Sequence, residues 1–368
     1  MSEKLWKKLA RKIINVGMVP FVISENLIEF LQILVNEEQA EFIVNSFKKN
    51  ALNLDQIKER SDLSEEKILK ILDELMDNGI IAGTKSKSTG VRVYYLLPLF
   101  PGILEFSLMR GETGPKQKKI AALFEKIQKE LNISVQGNLE NIIPQFKNFN
   151  PISRTVPVEE FVEVGQERAI LSEDVYELVD YYDPIAISNV CYCKHVRKLT
   201  GHECKATPND HQVCMQFGKS AEFVIERGFA KEVTKEEAKQ MLKRAEDYGL
   251  VHKVFHSQLN LKKDLDGICN CCKCCCGLFR MHYEGSMPIY TLATYMPRVI
   301  VDKCIGCGTC EEKCPMEAIA LNSDEKAEVK EERCIGCGVC ARFCPEEAIK
   351  IERTGPRNVL VPPPIMGK

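Results

Sequence analysis

Two cysteine runs near the carboxyl end constrain this 368-residue chain more than any other feature. The segments CIGCGTCEEKCP, from Cys304, and CIGCGVCARFCP, from Cys334, share the spacing C-x2-C-x2-C-x3-C-P. Glycines follow the cysteines closely, which lets the backbone curl around a bulky anion and point amide groups at it. The spacing indicates two iron–sulfur clusters and disfavours zinc, because zinc sites usually take four ligands from pairs of C-x2-C hooks.

In runs of this kind the first three cysteines hold one [4Fe–4S] cube and the fourth cysteine holds the other cube. The ligands predicted for the first cluster are Cys304, Cys307, Cys310 and Cys344. Those predicted for the second cluster are Cys334, Cys337, Cys340 and Cys314. Over about residues 295–353 the chain resembles the bacterial 2[4Fe–4S] ferredoxin family, and this resemblance implies a small domain that carries single electrons.

The composition excludes several classes of protein. A formal net charge of −2 gives no general argument for nucleic acid, and no stretch of 18 or more apolar residues predicts a membrane span. Without a signal peptide, we expect a cytoplasmic protein whose eighteen cysteines are reduced and serve metal, in a cell with little oxygen. The chain has no glycine-rich nucleotide or flavin motif, so catalysis, if any, would centre on metal or sulfur.

The cysteine-free front of the chain predicts three helices and a hairpin. The helices are expected at 37–48, 54–60 and 65–78, the last capped by Ser64, and the hairpin joins IIAGTK to VRVYYLL. This order of elements resembles a winged-helix domain. Five acids against two bases on the third helix oppose DNA binding, although Lys85, Lys87 and Arg92 in the hairpin could touch a phosphate backbone. We therefore expect this domain to dock a protein partner.

The first helix is predicted to be amphipathic and basic. Its apolar face carries Leu5, Trp6, Leu9, Ile13 and Ile14, with lysine and arginine largely opposite. Two interpretations follow: packing against its own domain, which we favour, or peripheral contact with an anionic membrane surface.

The middle of the chain, residues 151–296, concentrates the remaining cysteines and all six histidines. The candidate metal ligands are Cys191, Cys193, Cys204, Cys214, Cys269, Cys271, Cys272, Cys274, Cys275 and Cys276. A subset of them is interpreted as ligands of one or two further iron–sulfur clusters, with zinc and redox-active thiols as alternatives. Clusters are favoured because electrons move in short hops and the last of these cysteines lies 28 residues before Cys304. This segment is also similar to a module of iron–sulfur proteins from anaerobes that end in a ferredoxin domain.

The sequence thus predicts a multidomain α+β protein. The predicted segments are a basic helix at 1–26, a winged-helix-like domain at 27–110, a connecting helix and linker at 111–150, a metal-binding domain at 151–296, a ferredoxin-like domain at 297–355 and an extended tail at 356–368. We expect an electron-transfer protein or redox-enzyme subunit, with a redox-responsive regulator and an iron–sulfur reductase as alternatives.

The expected partners are other subunits and a redox protein with a basic docking surface. Residues 302–352 contain seven Lys or Arg and twelve Asp or Glu, a formal charge of −5. Such a surface attracts a basic partner, with an association rate that falls as salt is added.

Overall fold

A computed structural model describes residues 3–17, 19–48, 51–86, 89–148, 150–151, 153–158, 174–256 and 265–367. The chain divides into two compact units. The first comprises residues 1–134, 188–203 and 222–231, and the second comprises 135–187, 204–221 and 232–368. Among the helices that the structure describes, none is long and apolar enough to cross a membrane.

The first unit is mainly helical. Its front helices are α1 Glu3–Val16, α2 Glu25–Leu34, α3 Glu37–Ser46, α4 Leu54–Lys58, α5 Glu65–Asp77, α6 Leu104–Phe106 and the long α7 Pro115–Gln136, whose last turn belongs to the second unit. A three-stranded sheet has the order β1-β3-β2, from β1 Ala51–Asn53, β2 Ile81–Lys85 and β3 Arg92–Leu96. The helices and hairpin predicted for the front of the chain are therefore present, with the short strand β1 added.

Local capping explains why α5 begins and ends where it does. The Ser64 side chain accepts a hydrogen bond from the Lys67 backbone amide, and Gly79 follows the helix with φ of +67°. The order of helices and strands matches the one that suggested a winged helix, but the assignment to that class stays a prediction. Lys87, one of the predicted basic residues of the hairpin, lies outside the described residues.

Helix α1 buries its apolar face within the first unit. Trp6, Leu9 and Ile13 are almost completely buried. This burial follows from the helical spacing of these residues and agrees with packing against the chain's own domain.

Two segments from beyond residue 187 complete the first unit. They contain α10 Tyr192–Leu199 and part of α11 Gly218–Glu226. The Phe106 ring packs 5.1 Å from the Phe229 ring, and the Arg110 guanidinium lies 4.4 Å from the same Phe229 ring. The first unit is thus assembled from three separate stretches of the chain.

The second unit is built on a large mixed sheet. Its strand order is β13-β10-β4-β8-β9-β6-β5-β7, and the chain passes between the two units within the edge strand β7. The strands are β4 Ser153–Val156, β5 Ile185–Ser188, β6 Cys214–Phe217, β7 Ala230–Glu232, β8 Val251–His256, β9 Leu265–Cys271, β10 Ile289–Val299 and β13 Ile349–Val361. The pair β4–β10 is parallel, whereas β8–β9 and β6–β9 are antiparallel.

Helices cover both faces of this sheet. The remaining helices are α8 Leu139–Phe146, α9 Val175–Tyr181, α12 Lys235–Asp247, α13 Gly277–Tyr283, α14 Thr309–Lys313 and α15 Val339–Arg342. On one face α9 and α12 build an apolar core with Val254 and Ile268 of the central strands. The predicted capping box of α12, Thr234 with Glu237, is present.

One segment differs from its predicted form. Residues 139–146 were expected to connect elements but form α8, with Pro144 inside the helix. Residues 356–361, the first part of the predicted extended tail, continue β13 and pair with β10. The ferredoxin-like segment adds only a small hairpin, β11 Ile319–Leu321 and β12 Ala327–Val329, to this frame.

Candidate metal centres

The first cysteine run and the end of the second run line one pocket. Its empty volume is about 340 Å³, and its walls include the sulfur-bearing residues Cys304, Cys307, Cys310 and Cys344. Apolar side chains such as Leu321 and Ile349 fill the rest of the wall. The fold therefore brings together the four cysteines predicted for the first cluster. Their role as ligands stays a prediction.

The set predicted for the second cluster lies deeper in the protein. Cys314, Cys334, Cys337 and Cys340 are all buried. Burial raises the pKa of Cys337 to about 12, and it also raises the pKa of Cys334 and Cys340. Without metal these three thiols stay protonated at neutral pH, so loading a metal cluster must displace protons.

Backbone geometry supports both sets. The Ala318 amide donates to Cys314 Sγ at 3.2 Å, and the Ala348 amide donates to Cys344 Sγ at 3.3 Å. Gly306 has φ of +71°, and a Cβ atom there would lie 2.4 Å from a backbone carbonyl oxygen. A side chain at this position would therefore push apart the loop that surrounds the pocket.

The two predicted sets differ in their access to solvent. Cys307 is exposed, and neighbouring Ile305 is 64% exposed. Cys337 and Cys340, by contrast, are buried. The first set is therefore nearer the surface than the second set.

Four cysteines of the middle region converge on one point. The sulfur atoms of Cys204, Cys272, Cys274 and Cys275 all lie within 4.8 Å of one another. The distance from Cys204 Sγ is 3.7 Å to Cys272 Sγ and 3.8 Å to Cys274 Sγ. Hydrogen bonds from the other three thiols hold the pKa of Cys204 far below its usual range, and the Thr207 amide also donates to Cys204 Sγ at 3.4 Å.

These distances fit a single metal ion. A zinc ion about 2.3 Å from four sulfurs at the corners of a tetrahedron holds those sulfurs about 3.8 Å apart. A [4Fe–4S] cube spreads its thiolates more widely, because each thiolate binds a different iron atom. Among the residues that the structure describes, the eight ferredoxin-run cysteines form no comparable group within 4.8 Å. The Cys204 set is thus narrower than either set of the ferredoxin runs.

The other cysteines of the middle region separate by unit. Cys191 is the N-cap residue of α10 and lies with Cys193 in the first unit, whereas Cys214, Cys269, Cys271 and Cys276 belong to the second. His195 Nε2 lies 2.7 Å from the Glu112 carbonyl oxygen.

The dense cysteine run lies next to the ferredoxin-like segment. Lys273, inside the run, forms an ion pair of 2.9 Å with Glu317, three residues after Cys314. The Tyr283 hydroxyl at the end of α13 donates to the Pro315 carbonyl oxygen at 2.6 Å. Sequence proximity alone could not establish this contact. The sequence offered only two indications of it: Lys273 is flanked by cysteines, and Glu317 follows the cysteine–proline pair.

Two acidic side chains of α5 form ion pairs with an arginine of the first unit. Arg227 Nη1 lies 2.6 Å from Asp73 and 3.4 Å from Asp77. In the hairpin, the Arg92 guanidinium makes a bidentate contact with Glu226, at 2.9 and 2.7 Å. These ion pairs give the α5 acids and the hairpin arginine a structural role, which sequence reasoning missed because the partners lie more than a hundred residues away.

Comparison with known proteins bears on the carboxyl end of the chain. A search of curated proteins returned no match. Residues 298–351 match the family model of the 4Fe-4S dicluster domain. This range contains both cysteine runs and the small hairpin between them. The carboxyl-terminal segment of the chain is therefore an iron–sulfur domain of the ferredoxin type.

Proposed function

We propose that the protein transfers single electrons through two [4Fe–4S] clusters in its ferredoxin-type domain, as a carrier or as a subunit of a redox enzyme. The observation that carries this proposal is the pocket that joins Cys304, Cys307 and Cys310 to Cys344. Three ligands from one run and one from the other are the crossed arrangement of two-cluster ferredoxins. Bound clusters of this type accept and release one electron each.

The surroundings of the two cysteine sets support a path for electrons through the second set to the first. Tyr283 and Lys273 link the middle of the chain to the segment that follows Cys314, a predicted ligand of the buried second cluster. Cys307 and Ile305, beside the predicted first cluster, face solvent. Single electrons would therefore pass between the middle of the protein and a redox partner that binds at the exposed set.

Charge at the exposed end indicates the kind of partner. Glu346 lines the pocket, and Glu311, Glu312 and Glu347 are exposed nearby in sequence. We propose that these acids attract a redox protein with a basic surface, because opposite charges speed diffusional encounter.

The narrow cysteine set has a different proposed role. We propose that Cys204, Cys272, Cys274 and Cys275 hold one tetrahedral zinc ion that ties two distant parts of the chain together. Its support is the distance of 3.6–3.8 Å in three of the sulfur–sulfur pairs, together with the spacing of all four sulfur atoms within 4.8 Å of one another. Iron in the same position would give intense visible absorption, which zinc does not, so the two metals are easily distinguished.

The regulator alternative has less support. A DNA-reading helix needs a free basic surface, but the face of α5 carries acids that contact Arg227. The Arg92 side chain of the hairpin is likewise paired, with Glu226. We therefore assign the first unit a docking role rather than a nucleic-acid role.

The crossed ligands provide the test. Cys344→Ser should remove the cluster held by the first run and preserve that of the second, because Cys344 is the only member of its run in the pocket. Cys193→Ser, a cysteine of the other unit, is the matched control. After anaerobic reconstitution with ferrous iron, ferric iron and sulfide, we expect Cys344→Ser to lose about four irons relative to the control. Equal iron contents, or loss of both clusters in folded protein, would argue against the crossed arrangement.

A further inference from the structure

We propose that Cys214, Cys269, Cys271 and Cys276 hold a third iron–sulfur cluster against one face of the large sheet, with Lys253 as its buried counter-charge. This inference rests on the proposed electron-transfer function and names the centre from which electrons would reach the ferredoxin-type domain. The four cysteines are those of the second unit's middle region that the narrow set does not use.

Strand alternation places these side chains together. His252 on β8 and Asn270 on β9 hydrogen-bond to each other, and Asn270 Nδ2 also lies 3.5 Å from Met241 Sδ of α12. Both residues therefore face α12. Since successive side chains of a strand point to opposite faces, Lys253, Cys269 and Cys271 face the other side of the sheet.

The register sets the spacing on that opposite face. Cys269 pairs with Lys253 of β8 on one side and with Cys214 of β6 on the other. Directly opposed residues have Cβ atoms about 5 Å apart, and Cys271, two residues along the strand, lies about 7 Å from Cys269. The Cys271 and Cys276 side chains lie close enough to interact directly. Four sulfurs from three chain segments thus border one region.

The spread of these sulfurs suits a cluster better than one ion. Within the described residues only the Cys204 set gathers three or more ligand atoms within 4.8 Å. No three sulfur atoms of the sheet-face set lie that close together, as expected for thiolates that bind different irons.

A buried lysine lies on the same face of the sheet. Lys253 is only 1% exposed, and among the described residues no carboxylate forms an ion pair with it. Its ammonium group lies 5.3 Å from the centre of the Phe279 ring of α13. A buried charge needs an opposite charge nearby, and four thiolates around an iron–sulfur core carry net negative charge. The cluster would therefore explain why a lysine is tolerated at this position.

The location suits a relay to the ferredoxin-type domain. Cys276 immediately precedes α13, and Tyr283 at the other end of this helix contacts Pro315, next to Cys314. Seven helical residues span about 10 Å. The third centre would thus lie one short helix from a predicted ligand of the second cluster.

Metal analysis of reconstituted full-length protein tests the proposal. When two ferrous ions, two ferric ions and four sulfides bind, the four thiols release their protons to solvent, and the cluster forms in its 2+ state without a further oxidant. Wild type should bind about twelve irons, and Cys214→Ser about eight, with unchanged zinc. Cys204→Ser should show the reverse, with zinc lost and iron unchanged. Cys193→Ser is the matched cysteine control and should retain both metals.

A second variant tests the role of the charge. Lys253→Met keeps a similar volume without the positive charge, so the third cluster should become harder to reduce and its reduction potential should fall. Lys253→Arg should restore the potential. The proposal would be overturned if Cys214→Ser kept all the iron of wild type, or if Lys253→Met left the reduction potential unchanged. Wild type with about eight irons would refute only the third cluster, whereas wild type without reducible iron would refute the proposed function itself.

Discussion

Replacement of Gly306 by alanine should damage the first cluster loop far more than replacement of Gly308. Both glycines have positive φ, +71° and +72°, so alanine costs roughly 1–2 kcal/mol of backbone strain at either position. At Gly306, however, the new Cβ atom would lie 2.4 Å from the Glu325 carbonyl oxygen, whereas at Gly308 nothing lies within 4 Å. Relieving such a contact adds roughly 1–3 kcal/mol, so the two variants should differ by about that amount.

The assay follows the cluster itself. Each reconstituted variant is exposed to an iron chelator, and the loss of visible cluster absorbance is recorded against time and temperature. We expect Gly306→Ala to release iron from one cluster much faster than Gly308→Ala, which should stay near wild type. Cluster loss at equal rates in the two variants would refute the argument, because strain from positive φ alone would then explain both.

Three further predictions concern other parts of the molecule. Burial raises the pKa of Glu105 from 4.5 to about 7, so the folded protein binds the proton more tightly than the unfolded chain and stability falls as pH rises from 4.5 to 7. The loss is at most about 3 kcal/mol, and Glu105→Gln should flatten it in thermal unfolding curves recorded between pH 5 and 8. Cys204→Ser should release zinc to a colorimetric chelator without loss of iron, whereas zinc retention would contradict the narrow site. Electron transfer to a basic cytochrome should slow as salt is added and also in Glu346→Lys, and a rate independent of both would argue against the acidic docking surface.

Several helix boundaries could be predicted from local sequence. Ser64 and Gly79 delimit α5, and the capping box of Thr234 with Glu237 begins α12, because such signals act within one helical turn. The pattern of the two cysteine runs also predicted the grouping of Cys344 with the first run, and these four cysteines line one pocket. Their role as ligands stays a prediction.

Long-range contacts were not predictable in this way. The division of the middle cysteines depends on which strands pair, and the register of Cys214 with Cys269 joins residues 55 apart in sequence. The return of residues 222–231 to the first unit depends on Arg227 and Phe229, whose partners lie far upstream. No periodic pattern in a single sequence encodes these pairings, because each one depends on the tertiary fold.

The difference between narrow and wide cysteine sets also could not be recognised from the sequence. In the run CNCCKCCC, neighbouring side chains lie in different places. Cys271 is the last residue of strand β9, whereas the sulfur atom of Cys272 lies close to that of Cys204. Sequence reasoning recognised that adjacent cysteines point in different directions and that one cube could use only some of them. It could not assign them, because the turn after β9 determines which sulfur points where.

The central claim is most directly tested by a reductive titration of anaerobically prepared full-length protein, followed by electron paramagnetic resonance. The account predicts at least eight irons per chain and at least two one-electron equivalents, with signals from clusters that interact magnetically. A protein that binds four irons or fewer, or that takes up no electrons at the potentials of ferredoxin-type clusters, would contradict it.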